Sequence, residues 1–230
     1  EESYSPAVPQ FDDSAVLTAE ISYEEKTMKI KPAVSAGDFS RYYYCVEKST
    51  SSTWSRILGG SLASAEAFIT TNSDHYIIRN TIDIPMVDGA IMIEDVEVGE
   101  EYKILLIAQK ADGAYSRAYM TVFTPDLDLG NFIYKKGDTK ELWLASQPSV
   151  TFGACSKDGE FAVINWYVMP AEGMTAYSAC LTSAIVEGCT PEELVIRIYN
   201  NGSKVVPGKM ETMLYGDDTS AVYVTWCDAE

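Results

Sequence analysis

A single histidine, His75, supplies all the imidazole in the chain, which leaves little material for a histidine-based general base or a multi-histidine metal site. It stands beside Asp74 in "TNSDHY", and no Ser or Cys occupies a recognisable nucleophile motif, so a catalytic triad has no support. G-x-G-x-x-G, P-loop and H-E-x-x-H sequences are all missing. Five cysteines, at 45, 155, 180, 189 and 227, are too few for a disulfide framework and lack C-x-x-C spacing for zinc. No apolar run approaches the roughly 20 residues of a membrane helix. Basic residues are scarce, 17 against 34 acids for a net charge of −17, so a phosphate backbone is repelled and nucleic acid is excluded as a partner. The expectation is a non-enzyme with no catalytic residues, no cofactor and no metal. Paired carboxylates could make a glycosidase, but any chain this acidic would permit that.

What is present is globular. Hydrophobic residues are 47% and charged residues 22% of 230 positions, a balance and length that suit two domains of about 100 residues each. The acidic surplus fits a soluble exported surface. Residues 1–10, "EESYSPAVPQ", have the composition of an extended tether, or equally of a frayed terminus. Cys45 and Cys180 lie in apolar runs, where a thiol behaves as a small hydrophobe.

Strand-like stretches dominate, punctuated by turn pairs such as Asp88-Gly89, Asp112-Gly113 and Asn201-Gly202. In "KTMKIKP", Met28 and Ile30 alternate with Lys29 and Lys31, the period of a strand with one wet face. "FAVINWYVMP", residues 161 to 170, is apolar on both faces and predicts a covered central strand. Along residues 102 to 108, Tyr102, Ile104, Leu106 and Ala108 share one face and Leu105 and Ile107 the other, so both faces need cover. "TPEELVIRIYNNG" predicts a helix with Thr190 as N-cap, Pro191 at its first position, Glu193 closing a capping box and Leu194, Val195, Ile198 and Tyr199 as its buried stripe. A weaker counterpart, "SLASAEAFITTN" at 61 to 72, is expected to shield Leu105 and Ile107.

The two helical stretches sit at matching places. An offset of 136 residues lays "KTMKIKPAVSAG" over "VINWYVMPAEG" and "RYYYCV" over "YSACLT", so each half reads strand, strand, helical segment, strand, strand. The boundary falls near Pro125 to Asp126, giving a first domain at 11–125 and a second at 126–230.

The order "VGEEYKILLIAQKADGAYS", residues 98 to 116, resembles the E–F corner, F strand and F–G hairpin of a fibronectin type III domain, with Tyr102 at the family's corner tyrosine. Trp166 followed by Pro170 is similar to that family's B-strand tryptophan and later proline. The resemblance implies a mainly β protein of two tandem immunoglobulin/fibronectin III-like β-sandwiches, each with a helical insertion after its third strand, and gives Tyr102 and Trp166 structural roles. The acidic surface and leading tether make the whole similar to exported lipoproteins of Bacteroidetes-type bacteria. A place at the extracellular or outer-membrane surface is implied, with a lipid anchor on a removed N-terminal region.

Aligned on the first copy, "CDAE" at 227 to 230 meets "QKAD", so the second domain is expected either to lack its last strand, leaving an edge for a partner strand, or to form a last hairpin from "METMLY" and "AVYVTW". Of 15 tyrosines and 4 tryptophans, Trp54 and Trp143 are the surface candidates for contacting a ligand. The expected function is a non-catalytic cell-surface or secreted module for adhesion, spacing or protein assembly. The alternatives are a glycan-binding lipoprotein of a polysaccharide uptake system and an accessory region of a longer enzyme. Partners are then protein or glycan.

Overall fold

The computed structural model describes residues 8–58, 61–71, 80–129, 132–134, 149–153, 156–158, 161–170, 172–215 and 221–228. The protein is mainly β, and the chain divides into two compact units, Glu1–Asp126 and Leu127–Glu230.

In the first unit the strands are β1 (Phe11–Asp12), β2 (Leu17–Glu24), β3 (Thr27–Val34), β4 (Phe39–Lys48), β5 (Asn80–Asp83), β6 (Ile91–Ile93), β7 (Tyr102–Lys110), β8 (Tyr115–Ser116) and β9 (Tyr119–Phe123). Helices α1 (Thr53–Leu58) and α2 (Leu62–Thr71) lie between β4 and β5. One sheet has the order β2-β3-β6, the other β1-β8-β7-β4-β5 with β9 also on β7. Leu17, Met28, Ile30 and Ile91 from the first sheet pack against Tyr42, Ile104, Leu106 and Ala108 from the second. Two sheets closed on one apolar layer, with these strand neighbours, make a fibronectin III-like β-sandwich.

Alternation along β4 and β7 decides which side chain serves which layer. Tyr42, Ile104 and Leu106 enter the core between the sheets, while Tyr43, Cys45, Leu105 and Ile107 gather on the opposite face with Trp54 and Ala65. Leu105 and Ile107 are fully buried there. Each such aliphatic side chain contributes roughly 1.5–3 kcal/mol when removed from water, so the α1–α2 cover turns a costly exposed stripe into a second small core.

The second unit has β10 (Phe132–Tyr134), β11 (Ser149–Phe152), β12 (Ser156–Asp158), β13 (Phe161–Met169), β14 (Met174–Leu181), β15 (Ser203–Lys204), β16 (Glu211–Tyr215) and β17 (Ala221–Asp228), with helices α3 (Ser183–Val186) and α4 (Pro191–Asn201) after β14. One sheet runs β10-β17-β14-β15; the other places β13 between β16 and the pair β11 and β12. Trp166 and Val168 meet Ala176, Cys180, Val222, Val224 and Trp226 in the layer between them. The capping box forms: Thr190 Oγ1 accepts from the Glu193 amide, and Glu193 Oε2 accepts from the Thr190 amide at 2.7 Å. All four stripe residues of α4 are buried, and Tyr199 meets Tyr177 of β14 with ring centroids 4.6 Å apart. At the end of α4 the backbone runs against β14 so closely that a Cβ on Gly202 would lie 2.3 Å from the Ser178 carbonyl oxygen.

The last hairpin expected as the alternative for the C-terminal strands is corrected. "METMLY" and "AVYVTW" form no hairpin, because β16 pairs with β13 in one sheet and β17 with β14 in the other. The far side of β17 is not open along its whole length either: β10 lies antiparallel to it, Phe132 opposite Cys227 through Tyr134 opposite Thr225. A strand from the start of the unit thus stands beside β17 where the sequence comparison left a vacancy.

Candidate functional site

Trp54 is no surface residue. It is 3% exposed, and its Nε1 donates to the Lys48 carbonyl at 3.0 Å and more weakly to that of Glu47 at 3.4 Å. The indole lies across Leu105 and Ile107 with no free face for a ligand, because α1 folds back over the sheet directly after β4. Trp143 and His75 lie outside the described residues.

Tyr102 and Trp166 are both buried. The Tyr102 hydroxyl accepts the Glu97 amide at 2.9 Å, tying the first residue of β7 to the turn before it. Gly99, at φ 81° inside that turn, takes a left-handed conformation that costs glycine least. Trp166 crosses the second sandwich, its Nε1 donating to the buried Ser178 Oγ at 3.2 Å. The Cys45 thiol is pushed up to about 12 by burial, with Glu47 adding to the effect, and burial takes Cys180 to about 11. Neither is activated as a nucleophile.

The richest side-chain chemistry gathers at one corner of the first unit, where β1, the β7–β8 turn and α2 meet. β1 runs parallel to β8, Phe11 beside Tyr115 and Asp12 beside Ser116. Lys110 Nζ donates to Asp12 Oδ2. This bond and two further hydrogen bonds from Ser14 hold the Asp12 carboxyl down at about 2. Arg117 reaches Asp13 with Nε at 2.6 Å and Glu66 with Nη1 at 3.1 Å, while its guanidinium lies 4.5 Å from the Phe11 ring centroid. Glu66, 8% exposed on α2, also accepts the Ala118 amide at 2.9 Å. One arginine therefore joins the N-terminal strand, the helical segment and the last strand of the sandwich.

The β7–β8 turn is fixed from within. Gly113 donates to the Lys110 carbonyl, Lys110 donates to that of Ala114, and Ala114 donates to Asp112 Oδ1. The Tyr115 amide then donates to the Gln10 carbonyl at 2.8 Å. Between this turn, the approach to β1 and α2 lies a cleft of about 400 Å³, lined by Val8, Gln10, Thr70, Asp112 and Tyr115 among others. Its polar lining comes from residue types too common in turns for sequence alone to mark them.

A second feature is the free side of β9. β9 pairs with β7 through the register Leu106–Tyr119 to Tyr102–Phe123, and among the described residues no strand lies on its other side. Tyr119 and Phe123 pack on the core, whereas Met120 and Val122 are 41% and 53% exposed. Their register partners are Leu105 and Lys103, so this pair extends the outer apolar face from Leu105 to where it meets solvent. Sequence alternation could have found the pair; that its strand stands at an edge could not be read from it.

No protein-family model matches the chain, and no curated protein does. Among solved structures, the chain is similar to the central fibronectin-III array of RIM-binding protein at 13% identity and TM-score 0.31, covering 96% of this chain and 60% of that one. It is similar to the receptor tyrosine kinase Torso, described for neurohormone perception, at 5% identity and TM-score 0.25, covering 95% and 70%. It is also similar to chitinase ChiA74 from Bacillus thuringiensis at 10% identity and TM-score 0.27, covering 93% and 26%. The chain spans about 60% of the first of these and about a quarter of the third.

Proposed function

We propose that this chain is a non-catalytic module of the cell surface or extracellular space that assembles with other proteins. It consists of two tandem fibronectin III-like sandwiches, with helical segments inserted after β4 in the first and after β14 in the second. The observation that carries the reading is the edge of β9, where among the described residues no strand pairs with the side turned away from β7 and Met120 and Val122 are exposed. An edge of this kind is a template for an added strand: main-chain hydrogen bonds supply affinity and the alternating side chains supply selectivity. The net charge of −17 keeps the rest of such a surface soluble and slow to self-associate. An extracellular setting at the surface of a Bacteroidetes-type bacterium, as in the lipoproteins the sequence resembles, is the context this reading adopts.

The partner is an extended segment of another protein laid along β9. The test places Met120→Lys and Val122→Lys together in the full chain, since charge on an edge strand blocks strand addition. Mild reversible crosslinking on intact cells should co-purify a protein with the natural sequence and lose it from the double variant, with circular dichroism unchanged. Retention of every co-purified protein by the variant would reject the edge as the binding surface.

A further inference from the structure

The corner cleft in the first unit carries an inference that deepens the protein-assembly reading and rests on it. Charge there is unevenly matched. Among the described residues, five carboxylates, Asp12, Asp13, Asp38, Glu66 and Asp112, act on two cations, Lys110 and Arg117. Lys110 is engaged by Asp12, and Arg117 is divided between Asp13 and Glu66. The corner is therefore left with an excess of negative charge, and Asp112 places part of it in the lining of the cleft. Its Oδ1 is occupied by the Ala114 amide, which fixes the direction of the carboxylate without neutralising it.

Aromatic rings lie beside that charge. Tyr115 lines the cleft, with the Phe11 and Tyr43 rings at centroid distances of 6.1 and 6.0 Å. The same corner already pairs cations with rings, Arg117 over Phe11 at 4.5 Å and Lys110 Nζ at 5.5 Å from the Phe39 centroid. A carboxylate beside an aromatic ring matches the guanidinium of arginine, which can donate a fork of hydrogen bonds from one edge and lie flat on a ring with its plane. A volume of about 400 Å³ falls in the range of small-ligand sites and has room for one long side chain. Because the turn carrying Asp112 and Tyr115 is already hydrogen-bonded to itself and to Gln10, little ordering has to accompany binding. The overall charge of −17 would draw a basic segment toward the molecule before contact.

We infer that the cleft lined by Gln10, Thr70, Asp112 and Tyr115 receives an arginine side chain from a basic segment of a partner protein. A neutral polyol such as a sugar offers no charge to match Asp112 and is the competing occupant.

The probe is the tripeptide acetyl-Gly-Arg-Gly-amide, titrated into the isotopically labelled full chain at about 50 mM salt, where surface charge is weakly screened. Its neutral citrulline counterpart and maltose serve as comparisons, with amide chemical shifts as the readout. Shifts confined to Gln10, Thr70 and residues 112–115, present with the arginine peptide alone, are the expected result. Asp112→Asn should weaken the response by about tenfold, the loss expected when one partner of a charged contact is neutralised, while its amide oxygen still holds the Ala114 amide and keeps the turn. Equal shifts with citrulline or maltose would overturn the inference in favour of a neutral ligand. Shifts spread over the acidic surface, or an unchanged response in Asp112→Asn, would reduce it to unspecific charge attraction. The peptide binds or fails at the cleft regardless of β9, so failure here is distinguishable from failure of the edge reading.

Discussion

Replacing Trp54 by alanine in the full chain should loosen the first unit severely. The indole is 3% exposed, and burying an aromatic side chain of about 200 Å² at about 25 cal/mol per Å² gives roughly 5 kcal/mol as an upper bound. Truncation to alanine leaves a cavity over Leu105 and Ile107, and the loss expected for such a change is about 3–5 kcal/mol. The Lys48 and Glu47 carbonyls lose their indole donor as well. Trp54→Phe separates the terms: it keeps most of the apolar cover and should cost about 1–2 kcal/mol, mainly the hydrogen bond and some shape. The assay is native-state amide exchange read by mass spectrometry on peptides spanning residues 39–48 and 102–110, where opening free energy reports β4 and β7 directly. If Trp54 instead stood at the surface as a ligand-contacting ring, alanine would change stability by only about 0.5 kcal/mol. That outcome would refute the assignment of α1 and α2 as the lid on this face.

Tyr102→Phe removes the acceptor for the Glu97 amide while keeping the ring, and should lower stability by about 1–2 kcal/mol in urea titration; no change would mean the amide finds water at no cost. Gly202→Ala brings a methyl group within 2.3 Å of the Ser178 carbonyl oxygen, so the end of α4 must move from β14, with an expected loss of roughly 1–3 kcal/mol and weakened exchange protection at residues 176–180. Asp12 is depressed from 3.8 to about 2 by Lys110 and Ser14. Its contribution is therefore complete above pH about 4 and disappears as pH falls toward 2. The Tyr115 amide, which donates to Gln10 beside β1, should lose protection across that window in the natural sequence and show a flatter profile in Asp12→Asn. Identical profiles would remove Asp12 as the titrating anchor.

The short-range features were legible in the sequence because the groups that define them lie within one or two turns of each other. The capping box at Thr190 and Glu193 and the stripe from Leu194 to Tyr199 are fixed by helical spacing alone. The division of Tyr102, Ile104 and Leu106 from Leu105 and Ile107 follows from the two-residue repeat of a strand. The corner tyrosine was marked by the turn before it. The surface reading of Trp54 failed for the opposite reason. An aromatic beside a polar Ser-Thr stretch carries no sign of whether its helix will fold outward or back over the sheet.

By itself the sequence determined that these residues would alternate, cap and turn as they do, since those patterns depend on bond geometry and on neighbours a few positions away. Tertiary structure alone decided that β10 stands beside β17, that β16 and β17 part to different sheets, that β9 keeps an edge, and that Asp12, Asp112 and Glu66 converge. Each of those outcomes joins segments separated by tens of residues. Their pairing is a competition among many apolar strands for the same buried layer, and it is settled by which combination closes both sheets at once rather than by any strand's own pattern.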